Sequence, residues 1–123
     1  MSKRKWAMMG TALVFAAAAP DVVRAHAFPD HAVPAVGGMI EKAPTQVQIW
    51  FTEKLEPAFS KVEVRDAKGA RVDRGNAKVD VRNPTLLHVS LKPLVPGTYK
   101  VVWHVISVDT HATQGNFSFT VEK

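Results

Sequence analysis

Thr98-Tyr99-Lys100-Val101-Val102-Trp103-His104-Val105-Ile106 is the stretch on which the fold turns. Tyr99, Val101, Trp103 and Val105 alternate with Lys100, Val102, His104 and Ile106, which is the period of a β-strand. Val102 and Ile106 add apolar side chains on the second face, so the reading is a strand buried on both sides and central in its sheet. Before it, residues 45–51 alternate as well, with Val47, Ile49 and Phe51 on one face and Gln46, Gln48 and Trp50 on the other. Residues 61–65 repeat the pattern through Val62 and Val64, and Asp66-Ala67-Lys68-Gly69 then supplies hairpin turn chemistry ahead of Val72. Leu87, Val89 and Leu91 make another strand, and Phe117, Phe119 and Val121 the last. About seven short strands parted by Pro/Gly turns, with no helical periodicity after residue 25, predict an all-β, antiparallel Greek-key sandwich or barrel.

The whole chain is 123 residues long, enough for one domain, with 46% hydrophobic residues. It has no cysteine. Disulfide frameworks, thiolate zinc sites, iron–sulfur clusters, thiol catalysis and cysteine-ligated blue copper are thereby excluded. A net charge of +5 points toward nucleic acid until its distribution is read. Lys3, Arg4 and Lys5 precede an apolar run over 6–19, and Pro20 to Ala25 follow, the pattern of a secretory signal peptide cut before His26. Residues 1–25 are therefore expected to be a leader and 26–123 the domain. The domain keeps 12 basic and 10 acidic residues, a balance of +2 that gives no reason to bind nucleic acid.

Cleavage before His26 places a free α-amine and an imidazole on one residue, and the two can chelate a single ion. The amine titrates near ~8, so a strongly bound divalent ion displaces its proton at neutral pH. At the end of the longest strand, Ser107-Val108-Asp109-Thr110-His111 offers a carboxylate and a second imidazole. If the strand stays extended there, Asp109 and His111 project to the same side. Three nitrogens and one oxygen suit square-planar Cu(II), with Ni(II) the lesser alternative and Zn(II) disfavoured by a planar site. Of the remaining histidines, His31 reads as a solvent-facing residue on an early strand, with an extra ligand as the alternative; His88 is expected to be exposed and His104 partly buried. Trp103 reads as core. Trp50 either covers a sheet end or faces a partner. Ser60, Ser90, Ser107 and Ser118 lack the context of a nucleophile, and no glycine-rich loop suggests a phosphate cradle.

Together these residues give a resemblance. His26-Ala27, Pro34, Ala43-Pro44, the strand ending Phe51-Thr52-Glu53, Pro96-Gly97-Thr98-Tyr99-Lys100-Val101-Val102-Trp103, and Ser107 through Gly115 with Phe117 and Phe119 resemble the copper resistance protein CopC family. The resemblance covers essentially all of 26–123. It implies a periplasmic copper-binding β-barrel, cupredoxin-like or immunoglobulin-like, with Cu(II) held by His26 through amine and imidazole, by Asp109 and by His111. Glu53 matches a family glutamate beside that site, behind the ligands or as a weak one.

The family's implied role is carriage or sequestration of copper in resistance and homeostasis, without enzyme activity. An inner-membrane copper transporter or another periplasmic copper protein is the implied partner of a monomer. Some members carry a methionine-rich Cu(I) loop; the corresponding stretch here, 62–81, has no methionine, and Met39 alone cannot replace it. The alternative function is a small copper oxidase, because an N-terminal histidine paired with another histidine also resembles the histidine brace of lytic polysaccharide monooxygenases. No aromatic platform near either ligand segment favours it.

Overall fold

The computed structural model describes residues 27–123; the expected leader and His26 lie outside the described residues. Eight strands follow in chain order: β1 (Pro29–Val33), β2 (Met39–Ile40), β3 (Gln46–Phe51), β4 (Lys61–Arg65), β5 (Lys78–Val79), β6 (Leu86–Ser90), β7 (Gly97–Ile106) and β8 (Ala112–Val121). A single 3-10 turn, η1 (Pro57–Phe59), precedes β4. The strands form two four-stranded sheets, ordered β1-β3-β6-β5 and β2-β8-β7-β4. Only the β5–β6 and β7–β8 connections stay within one sheet, so the chain shuttles across the sandwich in Greek-key fashion. The short β2 pairs parallel with β8, an exception to the antiparallel expectation.

The alternating residues account for the core. Val47 and Ile49 of β3 and Leu87 and Val89 of β6 are fully buried between the sheets. Across from them, in the other sheet, lie Val64 of β4, Val101, Trp103 and Val105 of β7, and Phe117 and Phe119 of β8. The Trp103 indole meets the Phe51 ring edge-on with centroids 5.2 Å apart. Its position depends on Gly115, its partner across the β7–β8 ladder, where an added Cβ would lie 2.6 Å from the indole. At the other end of β7, the Tyr99 hydroxyl donates to the Val95 carbonyl and pins the incoming loop.

Two expectations need correction. β7 is central, lying between β8 and β4, but it is buried on its inner face only. Outward-facing Val102 and Ile106 are half-exposed and His104 is exposed, because an antiparallel sheet of a sandwich packs one face and leaves the other to solvent. The hairpin after β4 is also shorter than the pattern suggests: past the Asp66–Gly69 turn the chain regains β4 only through the Arg65–Arg71 bridge and the Val72 N–H to Val64 carbonyl bond.

What replaces regular pairing there is Asp73. Its buried carboxylate accepts from the Val64 and Gly75 amides, both at 2.8 Å, and from Arg71 at 2.7 Å. It thereby occupies an edge donor that would otherwise be open to another strand. Burial pushes this carboxyl upward, but the Arg71 guanidinium and the two amides outweigh it and hold it below its ordinary value of 3.8.

Two outcomes follow. Gly115→Ala forces the indole aside and lowers stability by about 1–3 kcal/mol in chemical denaturation. Because the Asp73 carboxyl is depressed in the folded state, its contribution is intact above its ordinary value and is lost as pH falls through the depressed one. Asp73→Ala therefore costs on the order of 2–4 kcal/mol at pH 7, by leaving buried amides unpaired, and flattens the acid limb of the stability profile.

Candidate metal centre

Three segments meet at one end of the sandwich: the start of the described chain, the β3–η1 connection and the β7–β8 loop. Thr113 at the start of β8 donates its hydroxyl to the Ala27 carbonyl at 2.7 Å, and Ala27 is fully buried. Phe28 and Thr52 are joined twice, by the Phe28 N–H to the Thr52 hydroxyl at 3.0 Å and by the Thr52 N–H to the Phe28 carbonyl at 2.8 Å. On the other side of Glu53, the Lys54 carbonyl accepts from the Val108 amide at 3.0 Å. The half-buried Glu53 thus lies on a backbone fastened to both of the other segments.

The β7–β8 loop is not extended. It folds into a tight turn, with Thr110 at φ 72°, a left-handed conformation uncommon for threonine. Asp109 and His111 still come together, for a different reason from the one expected. Ser107, completely buried at the end of β7, binds the His111 carbonyl through its amide at 3.0 Å, and the Thr110 amide binds the Ser107 carbonyl at 2.8 Å. The Ser107 hydroxyl donates to the Asp109 carboxylate. The other Asp109 neighbour is His111, with Nδ1 3.4 Å from Oδ1. Both side chains are about half exposed, at 47% each, so an ion or a partner can reach them. The Ser107 hydroxyl is the main influence that holds the Asp109 carboxyl below 3.8; burial pushes it upward, and His111 adds smaller lowering contributions. Asp109 is thus an anion at neutral pH.

Ser107 is the residue that sequence reasoning missed. Its signal was a serine at a strand end followed by an aspartate and a histidine, the usual composition of a side-chain-stapled turn.

Among the described residues, no three His, Cys, Asp or Glu side chains converge on a common point. Asp109 and His111 form a pair, and a complete donor set needs residues beyond it; an acidic oxygen beside an imidazole nitrogen suits a divalent transition ion. His31 stands apart: its ring stacks on Trp50, with centroids 4.5 Å apart and planes 9° from parallel, and its Nδ1 lies 2.8 Å from Asp30. Trp50 is accordingly covered by β1, and half-buried. His88 is less exposed than expected, at 20%, with Nε2 3.9 Å from Asp80. His104 is more exposed than expected and lies on the outer face of β7.

Comparison with known proteins gives a consistent result. Residues 30–122 match the CopC domain family. Protein YobA of Escherichia coli (strain K12) is 37% identical over 101 residues, which are 81% of this chain and 82% of that protein. Copper resistance protein C of Xanthomonas campestris pv. juglandis is 32% identical over 121 residues, covering 93% of this chain and 95% of its own. The crystal structure of CopC from Methylosinus trichosporium OB3b superposes with a TM-score of 0.74 at 32% identity, over 79% of this chain and 94% of that one.

Removing the Ser107 hydroxyl tests the turn. In Ser107→Ala, the Asp109 carboxyl of the metal-free protein titrates closer to 3.8, followed by carbon-13 NMR. A titration unchanged from that of the parent protein would contradict the role given to Ser107.

Proposed function

The chain belongs to the CopC family, and from that premise we propose that it is a periplasmic Cu(II)-binding protein that carries or sequesters copper in copper resistance. The ion is cargo. Its donors are the α-amine and imidazole of His26, the Asp109 carboxylate and the His111 imidazole, with Glu53 beside them. The observation that carries this reading is the Asp109–His111 pair, held 3.4 Å apart on a Ser107-stapled turn two residues from Thr113, which grips Ala27. One peptide bond separates Ala27 from His26, so covalent geometry keeps the two α-carbons about 3.8 Å apart. A leader removed before His26 would free the amine at the same end of the sandwich as the other two donors.

Each residue has a distinct task in this scheme. Asp109 supplies negative charge without needing to lose a proton at neutral pH. His111 supplies a borderline nitrogen donor that matches Cu(II). Ser107 orients Asp109 from behind, as outer hydrogen bonds commonly do for metal-ligating carboxylates. Soft thioethers that would favour Cu(I) are scarce. Met39 is the sole methionine in 26–123. Support for a carrier over an oxygen-activating oxidase comes from Asp109, whose carboxylate would fill a coordination position otherwise open to oxygen. Copper would leave by ligand exchange with a partner, an inner-membrane copper transporter or another periplasmic copper protein, that approaches the exposed pair. The carrier itself acts as a monomer.

Copper titration of the protein beginning at His26 is the test. One extra residue ahead of His26 lowers Cu(II) affinity by about a hundredfold or more, and Asp109→Ala and His111→Ala each lower it by at least about tenfold. Electron paramagnetic resonance of the parent protein shows nitrogen coupling that is reduced in His111→Ala. Equal affinity with and without the added residue would remove His26 from the site, and sustained ascorbate-driven peroxide production would overturn the carrier assignment.

A further inference from the structure

The outer face of the β4–β7 pair carries a groove of about 710 Å³, walled by η1. Phe59 of η1 and Val102 and Ile106 of β7 give it an apolar floor and side, and Lys61 and Arg71 give it a cationic rim beside His104. Phe59 is 60% exposed although it is a large aromatic residue. The outward positions of the adjoining β8 are Gln114, Asn116 and Ser118, all polar and exposed, so the apolar strip is local rather than general to the sheet. A compact exposed apolar strip bounded by charge marks an interaction surface.

The charges select the occupant. The only carboxylate in the lining, Glu63, is already engaged by Arg65 at 3.2 Å and Arg71 at 3.5 Å. Arg71 is also held by the Asp73 carboxylate at 2.7 Å, so Lys61, Arg65 and Arg71 outnumber Glu63 and Asp73 by one positive charge, at the exposed Lys61. A second copy of the chain would bring the same cations to the same face, and the basic Lys3-Arg4-Lys5 leader is also of the wrong sign. We infer that the groove is a docking site for an acidic segment of a partner protein. Its apolar side chains rest on Phe59, Val102 and Ile106, and a carboxylate of the segment reaches Lys61. The groove begins beside the metal centre, since Ile106 directly precedes Ser107 and its carbonyl accepts the Glu56 amide at 2.7 Å. A docked segment is thus delivered next to Asp109 and His111. The surface exists without copper, and its test is independent of the copper site.

The probe is a synthetic peptide of alternating leucine and glutamate, titrated into the metal-free protein and followed by proton–nitrogen NMR. Amides of Phe59, Val102, His104 and Ile106 shift, and the leucine–lysine counterpart binds at least about tenfold more weakly. Lys61→Glu and Phe59→Ser, both at exposed positions, each weaken binding by about tenfold with an unchanged circular dichroism spectrum. Absence of binding, equal binding of the two peptides, or shifts confined to other faces would overturn the inference. Concentration-dependent shifts at these same residues without peptide would overturn the choice of occupant in favour of a second copy.

Discussion

The hydrogen bond from Thr113 to the Ala27 carbonyl joins residues 86 apart in sequence and ties the segment ahead of β1 to the start of β8. A segment outside the regular strands ordinarily stays loose unless contacts offset the entropy of ordering it. Here Ala27, ahead of β1, is completely buried, its neighbour Phe28 is paired with Thr52, and both attachments lie at the end of the sandwich that carries Asp109 and His111. The two sheets therefore act as a frame that brings the segment ahead of β1 to the β7–β8 loop. A metal site drawing on both needs that frame more than it needs any single ligand.

Within the frame, rigidity is concentrated around the proposed donors Asp109 and His111. β7 and β8 are paired along ten residues each, and their connection is stapled from below by buried Ser107. Trp103 and Gly115 fit against each other in the same hairpin. Preorganisation of this kind reduces what must be ordered when an ion arrives. The opposite edge is secured by other means, with Asp73 supplying through one carboxylate the contacts that a regular strand would have made.

Much of this was legible in the residues. The alternation of Val47, Ile49 and Phe51, and of Tyr99 through Val105, named the core faces correctly, because period-2 patterning is a direct consequence of strand geometry. The Asp109–His111 pairing was anticipated too, but from an extended segment, whereas a left-handed Thr110 turn produces it. Local backbone reversal leaves little trace when the residue involved is not glycine. Val102 and Ile106 misled for another reason: apolar side chains on a solvent-side face look like core until η1 is seen to wall the groove they line. Short β2 and β5 escaped notice because two residues carry no period. His31, read as solvent-facing, and Trp50, read as covering a sheet end or facing a partner, cover each other as a stacked pair.

In the proposed site, residue 26, once exposed as an amino terminus, grips copper together with a loop more than eighty residues away. A high-resolution crystal structure of the exported, copper-loaded protein is the decisive measurement. The expected chain starts at His26, with one ion bound by its amine and ring nitrogens, an Asp109 oxygen and a His111 nitrogen. An ion held elsewhere, or a first ordered residue other than His26 beside an intact site, would contradict it.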